Sequence, residues 1–275
     1  MDTKSKTLLS QSADLLQKVT EAGKNCFTLN EATGYLESSS RDAVKRLLSD
    51  MAKRGLLMRI KDGVYYVIPY EQNAETFMPD WHLLGQYIVG DADYYISYYS
   101  AMQIHSLITQ PALKEQIVVN KQIKPSVLKV KGIPFQFIYH NEKHFFGGKK
   151  TWIDNFNKIE CSDLEKTFID ILFKPEYAGG VTEIAKALYK SKDKINFPKL
   201  LDYAIQFDSL AVSKRLGYLL ELLQIDTNIT GKLQGLKTKS YFLLEPSRLK
   251  EGKMLSRWNI RENIDSESII SLIYN

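Results

Sequence analysis

The stretch from Ser38 to Gly63 constrains the folding of this chain more than any other. Val44, Leu47, Leu48 and Met51 recur at i, i+3, i+4 and i+7, the spacing of one helix face. Such an apolar stripe has to be covered, so the helical segments before it must pack on it. Ser39 stands three residues before Asp42, a capping-box spacing that opens this helix, and Gly55 ends it after about Arg54. LLMRIKDGVYYVIP then reads as two strands around Lys61-Asp62-Gly63, a hairpin signal. Upstream, Leu8, Leu15, Leu16 and Val19 predict a helix over 8–22 closed by Gly23. Thr28, three residues before Glu31, predicts a short helix over 29–36. Two helices, a serine turn, a basic helix and a basic hairpin in that order predict a winged helix-turn-helix.

The side of the third helix away from its stripe carries Arg41, Asp42, Lys45, Arg46, Ser49 and Lys53. When such a helix docks on DNA, its N-terminal end enters the major groove. Here that end is Ser39, Ser40 and Arg41, small hydroxyls followed by a guanidinium. Arg41 and Lys45 have the donors to read guanine O6 and N7 or to clamp phosphates. Arg59 and Lys61 stand where a wing would run along the duplex. Between Ser38 and Lys61 there are seven lysines and arginines against two aspartates, a net charge of +5 in this window alone. Neutralising about five phosphates would give log K a slope of roughly −4 to −5 against log salt. A winged helix used only for protein contact is the competing reading.

Beyond this module the 275 residues are enough for a second, larger domain. PYEQNAETFMPD reads as a connection, giving domains at 1–77 and 78–275. Strands are expected at QIVVN, FQFIYH and YFLLEP, and helices over 97–108, 162–173, 181–190, 198–207 and 209–224. Ser162 with Glu165 supplies another capping box. The fold class is therefore α+β: an N-terminal winged helix-turn-helix and a mixed α/β C-terminal domain. No apolar run could span a bilayer, no secretion signal is visible near Lys4 and Lys6, and Cys26 and Cys161 form no CxxC pair. These features predict a cytoplasmic protein with reduced thiols and no membrane partner.

FTLNEATGYLESSSRDAVKRLLSDMAKRGLLMRIKDGVYYVIP resembles the N-terminal winged helix of the AbiEi antitoxins of bacterial abortive-infection toxin–antitoxin systems, a phage defence. YYISYYSAMQIHSLITQ (94–110), SDLEKTFIDILFKPEYAGGVTEIAKAL (162–188) and KRLGYLLELL (214–223) are similar to blocks of that family's C-terminal domain. The resemblance implies a repressor of its own operon that binds a promoter inverted repeat. It implies a C-terminal domain that counteracts a nucleotidyltransferase toxin without a stable complex. By match, Ser40, Arg41, Lys45, Arg46, Arg59 and Lys61 inherit the DNA role, and no residue inherits toxin neutralisation. A chain that is monomeric alone, with two copies pairing on the operator, follows from the operator's symmetry. The alternative is a ligand-responsive winged-helix regulator unrelated to a toxin.

Residues 114–150 hold eight lysines against two glutamates. Lys121, Lys124, Lys129 and Lys131 are candidates for a second basic surface; the competing reading is lysine protecting sheet edges from aggregation. Little else suggests chemistry. His140 and His144 form H-x-x-x-H, but in a strand they would sit about 13 Å apart. Tyr94, Tyr95, Tyr98 and Tyr99 read as core before they read as a base-stacking platform. Glu251-Gly252-Lys253 is a lone E-x-K, and Gly179-Gly180 before a helix could hold an anion. No P-loop, GxGxxG or nucleophile elbow occurs, so neither an enzyme nor a cofactor or metal is expected.

Overall fold

The computed structural model describes residues 10–155 and 157–274. Lys4, Lys6 and Leu8 lie outside the described residues. The fold is α+β, and the chain forms two compact units: residues 1–91 with 129–132, and residues 92–128 with 133–275. The expected boundary at 77 falls short because a 3-10 turn (Trp81–Leu84) and a short helix follow inside the first unit.

In the first unit, α1 (Ser10–Glu21), α2 (Leu29–Tyr35), α3 (Arg41–Lys53), β2 (Leu57–Lys61) and β3 (Val64–Val67) follow the expected order; β1 (Cys26–Thr28), between α1 and α2, is an unexpected strand, and α4 (Gly85–Val89) ends the unit. The hairpin closes through Asp62-Gly63, and β1 adds antiparallel to β3, giving the sheet order β1-β3-β2. Leu15, Val19, Phe27, Ala32, Val44, Leu48, Met51 and Tyr65 share one buried core. The α2 capping box forms as expected: Thr28 Oγ1 accepts from the Glu31 amide, and the Glu31 carboxylate accepts from the Thr28 amide. The cap of α3 is Ser40, not Ser39; its Oγ accepts from the Ala43 amide. Ser39 is instead drawn into the preceding turn, where its amide donates to Leu36 O.

The second unit is built on most of a mixed six-stranded sheet of β4 (Tyr94–Ile96), β5 (Glu115–Val119), β6 (Val127–Val130, its last two residues counted with the first unit), β7 (Ile133–Tyr139), β8 (Gly148–Trp152) and β9 (Lys158–Ser162). Their spatial order is β6-β7-β5-β4-β9-β8. β5 pairs parallel with β7 and antiparallel with β4, and β8 pairs antiparallel with β9. Its helices are α5 (Tyr98–Ile104), α6 (Leu164–Phe173), α7 (Val181–Ser191), α8 (Phe197–Phe207), α9 (Leu210–Leu222), α10 (Thr230–Gly235) and α11 (Ser266–Tyr274). A small sheet of β10 (Phe242–Leu243), β11 (Lys253–Leu255) and β12 (Ile260–Glu262) completes it, with β12 central. The expected strands and helices are all present, with shifted ends. Asp163 rather than Ser162 caps α6, accepting from the Lys166 amide, because Ser162 still belongs to β9.

α6 is buried from Glu165 to Leu172, so it runs through the middle of the core. α9 is covered just as fully, and its two cations find carbonyl partners: Lys214 Nζ donates to Leu233 O and Gln234 O, and Arg215 donates to Leu172 O and Leu243 O. Gly217 lets α9 lie against Trp258, whose ring would be 2.0 Å from any Cβ there. No helix among the described residues is long and apolar enough to cross a membrane.

Candidate nucleic-acid interface

The face of α3 is set by its stripe. Val44, Leu48 and Met51 have no exposed surface, and Leu47 is half-buried. Arg41, Asp42, Lys45, Arg46, Ser49 and Lys53 are therefore turned outward, and all are exposed. Ser40 is exposed as the cap and Ser39 is half-buried. Arg41 Nη1 donates to Asn30 Oδ1 at 2.6 Å, so α2 holds the guanidinium beside the N-terminus of α3. Arg46 Nε reaches the Asp42 carbonyl at 3.4 Å, within its own helix. Lys45 and Lys53 have no hydrogen-bond or ion-pair partner among the described residues. Asp42, Lys45, Arg46 and Ser49 line a shallow open hollow on this face.

The other cations of the +5 window are committed within the unit. Arg54 pairs with Asp50 at 3.0 Å and donates to Ser12 Oγ. Arg59 is exposed but tied to Asp62 across the hairpin turn. Lys61, expected on the wing, is half-buried and donates to the Ile88 carbonyl at 2.7 Å. Burial lowers its pKa, against the pull of Asp91. α4 brings that carbonyl over the end of β2, and no local pattern around Lys61 announces it. Four cations thus remain on the outward face of α3, not seven along the window.

The lysine-rich stretch disperses. Lys131 donates to the carbonyls of Ala74 at 2.7 Å, Phe77 at 2.8 Å and Glu75 at 3.3 Å, so its three protons are spent inside the first unit. Lys143 pairs with Asp208. Lys121 and Lys124 lie exposed in the loop before β6, and Lys129 lies exposed on β6. Lys149 and Lys150 lie exposed on β8. Since β6 and β8 are opposite edges of the sheet, the run forms no single strip. This placement favours lysines guarding strand edges against intermolecular pairing.

The second unit also contains a buried polar cluster that sequence reasoning missed. Lys166 Nζ donates to Asp170 Oδ1, one helical turn on, and neither side chain has exposed surface. Asp170 Oδ2 accepts from Ser97 Oγ at 2.7 Å. His140 Nε2 and the Tyr98 hydroxyl share a 2.9 Å hydrogen bond. The Lys166 ammonium lies 4.8 Å from the Phe146 ring centre and 5.0 Å from that of Phe207. Burial lowers the Lys166 pKa, with Asp170 opposing, and burial likewise pushes His140 down to about 4. The i, i+4 spacing of Lys166 and Asp170 among the apolar residues of α6 is the one signal that could have revealed the pair.

The histidines are also closer than strand geometry suggested. β7 ends at Tyr139, and the following turn brings His144 back, so the two rings lie 6.1 Å apart with His144 stacked on Phe207 at 3.9 Å. Among the described residues no group of three or more His, Cys, Asp or Glu is placed to hold a metal ion. His105 is held on Ser162 O at 2.7 Å. Both cysteines are free and buried; burial raises Cys26 to about 12 and Cys161 further. The N-terminus of α7 after Gly179-Gly180 already has its anion: Glu245 Oε2 accepts from the Val181 amide at 2.8 Å.

No family model matches this chain, and no curated protein matches it. Among solved structures it is similar to the crystal structure of the RV2827C protein from Mycobacterium tuberculosis. The TM-score is 0.70 at 12% identity, covering 99% of this chain and 97% of that one. At that identity the likeness shows a shared fold across both units and nothing more.

Proposed function

We propose that the first unit is a winged helix-turn-helix that binds double-stranded DNA through α3, and that the chain is an autorepressing antitoxin of the AbiEi kind. The observation carrying the DNA reading is the outward face of α3: Arg41, Lys45, Arg46 and Lys53 exposed opposite a fully buried stripe. A helix anchored this way offers side chains to a major groove without disturbing its own packing. Arg41 at the first helical position, beside the Ser40 cap, is the base-reading candidate. Arg59 is the remaining wing contact and would have to leave Asp62 to reach a phosphate. The antitoxin reading rests on the resemblance of residues 94–110, 162–188 and 214–223. It carries with it a nucleotidyltransferase toxin as functional partner, an inverted-repeat operator, two copies pairing on DNA and a cytoplasmic location.

A band shift with the DNA upstream of the chain's own gene tests the first part. Arg41→Ala should weaken specific binding by about 1–3 kcal/mol. Lys45→Glu should weaken binding to all sequences alike. No shift of any upstream fragment at low salt would overturn the reading. Co-expression with a neighbouring nucleotidyltransferase gene tests the second part: failure of the full chain to rescue growth would leave a DNA-binding regulator without an antitoxin role.

A further inference from the structure

The second unit contains a cavity of about 350 Å3 that the DNA reading does not use. Its walls come from distant stretches of the chain: Tyr99 in α5, Pro111 and Lys114 before β5, Pro134 in β7, and Glu176 with Tyr177 before α7. Of the four tyrosines at 94–99, Tyr99 is the one that lines it. The backbone explains why. Tyr98 has φ +54°, a left-handed conformation unfavourable for a bulky side chain. This turn sends Tyr98 into the core, onto His140, while Tyr99 remains partly exposed. The Tyr99 amide is fixed on Gln116 Oε1 at 2.9 Å. Beside Tyr99 the wall is bare backbone: Gly179 has φ +79°, and a Cβ there would lie 3.5 Å from the Tyr99 ring.

Two cations flank Tyr177, of which Lys114 lines the cavity. The Lys114 and Lys174 ammonium groups lie 5.9 and 5.2 Å from the centre of the Tyr177 ring. Neither has an ion-pair or hydrogen-bond partner among the described residues, and the same holds for Glu176 and Gln110 at the cavity. With tyrosine and proline walls, Lys114 as the lining cation, Lys174 beside Tyr177, one carboxylate and one amide, the site has a polar partner for each part of a nucleotide. Its volume is in the range of small-molecule sites.

We propose that this cavity binds a single nucleotide. The base lies against the tyrosine and proline walls, and the phosphate is held by Lys114 and Lys174. Glu176 and Gln110 take the sugar hydroxyls and the base edge. Aromatic stacking tolerates any base, so the walls alone set no base preference. A free mononucleotide and one unpaired residue of a strand share this chemistry. A proline-rich peptide would use the tyrosines and prolines but would leave both ammonium groups idle.

The test is calorimetric titration of the full chain with AMP, GMP, CMP and UMP, with a short single-stranded oligouridylate, with inorganic phosphate and with a proline-rich peptide. At least one nucleotide should bind. Tyr99→Ala and Lys114→Glu should each weaken it about tenfold or more, while Tyr99→Phe should retain it. Lys45→Glu, on α3, should leave it unchanged, which separates this site from the DNA-binding face. Mononucleotide binding identifies a free ligand; oligouridylate binding alone, with the same loss in the variants, identifies a residue within a strand. The proposal is overturned by absence of any nucleotide binding at millimolar concentration or by affinity indifferent to Lys114→Glu, a partly exposed position that can be changed without touching the core. Phosphate binding as tightly as nucleotide, or the peptide binding in place of every nucleotide, would overturn it too.

Discussion

His140 is held neutral because burial strips water from its charged form more effectively than Asp170, 3.8 Å away, restores it. In the unfolded chain an imidazole titrates near its ordinary value of about 6.5. Its folded pKa of about 4 lies below that, so the unfolded chain binds the proton first as pH falls. The His140 contribution is complete above the unfolded pKa and is lost between roughly pH 6.5 and pH 4, amounting to about 3 kcal/mol. Urea unfolding at stepped pH should show this loss, and NMR of the His140 imidazole should show it neutral at pH 6. Lys166 poses the complementary problem. Lys166→Met leaves Asp170 charged, buried and without its cation, which should cost about 3–5 kcal/mol. Lys166→Met with Asp170→Leu should recover part of that, since an apolar pair of similar volume faces no desolvation penalty.

Among the elements, α2 has the clearest local signature. Thr28 and Glu31 satisfy each other's backbone groups, and Lys24 adds a bond to the Glu31 carboxylate. Burial pushes the Glu31 pKa up, but the Lys24 and Thr28 hydrogen bonds outweigh it and hold the carboxyl low. Thr28→Ala should cost about 1 kcal/mol in thermal unfolding. The α3 cap shows how far such signatures reach. Three serines in succession offer the same hydroxyl, and spacing to an acidic residue selected Ser39. The turn after Leu36 consumes Ser39 and leaves Ser40 as the cap, moving the helix start by one residue. The same shift separates Ser162 from Asp163 at α6. In both cases a capping pattern located the helix, and the neighbouring turn or strand chose the residue.

At the scale of the whole molecule, charge has to be counted by commitment. Lys61 and Lys131 bind carbonyls, Arg54 and Lys143 bind carboxylates, and the lysines of β6 and β8 stand on opposite edges of one sheet. With four phosphates met by Arg41, Lys45, Arg46 and Lys53, the salt slope of operator binding should be about −3 to −4. A slope near −6 would mean that the committed cations leave their partners on DNA. Since the first unit has its own core, a fragment of residues 1–91 should fold and keep most of the DNA affinity, measured by the same band shift. A fragment ending at 77 lacks the Ile88 carbonyl that Lys61 binds.

What the sequence settled alone is the three helices and hairpin of the first unit, the outward side of α3, and the longer helices and two central strands of the second unit. The stripe at 44–51, the caps near 28, 40 and 163, and the Asp62-Gly63 turn act within a few residues of themselves. Their physics is complete in a short window. The tertiary structure decided which polar groups remain available, because a lysine's partner can lie anywhere in the chain: Ile88 for Lys61, Ala74 for Lys131, Glu245 for the start of α7. It also decided which tyrosine is core and which is surface, through a single left-handed residue at Tyr98. Desolvation and long-range hydrogen bonding assign those roles, and neither leaves a periodic trace along the chain.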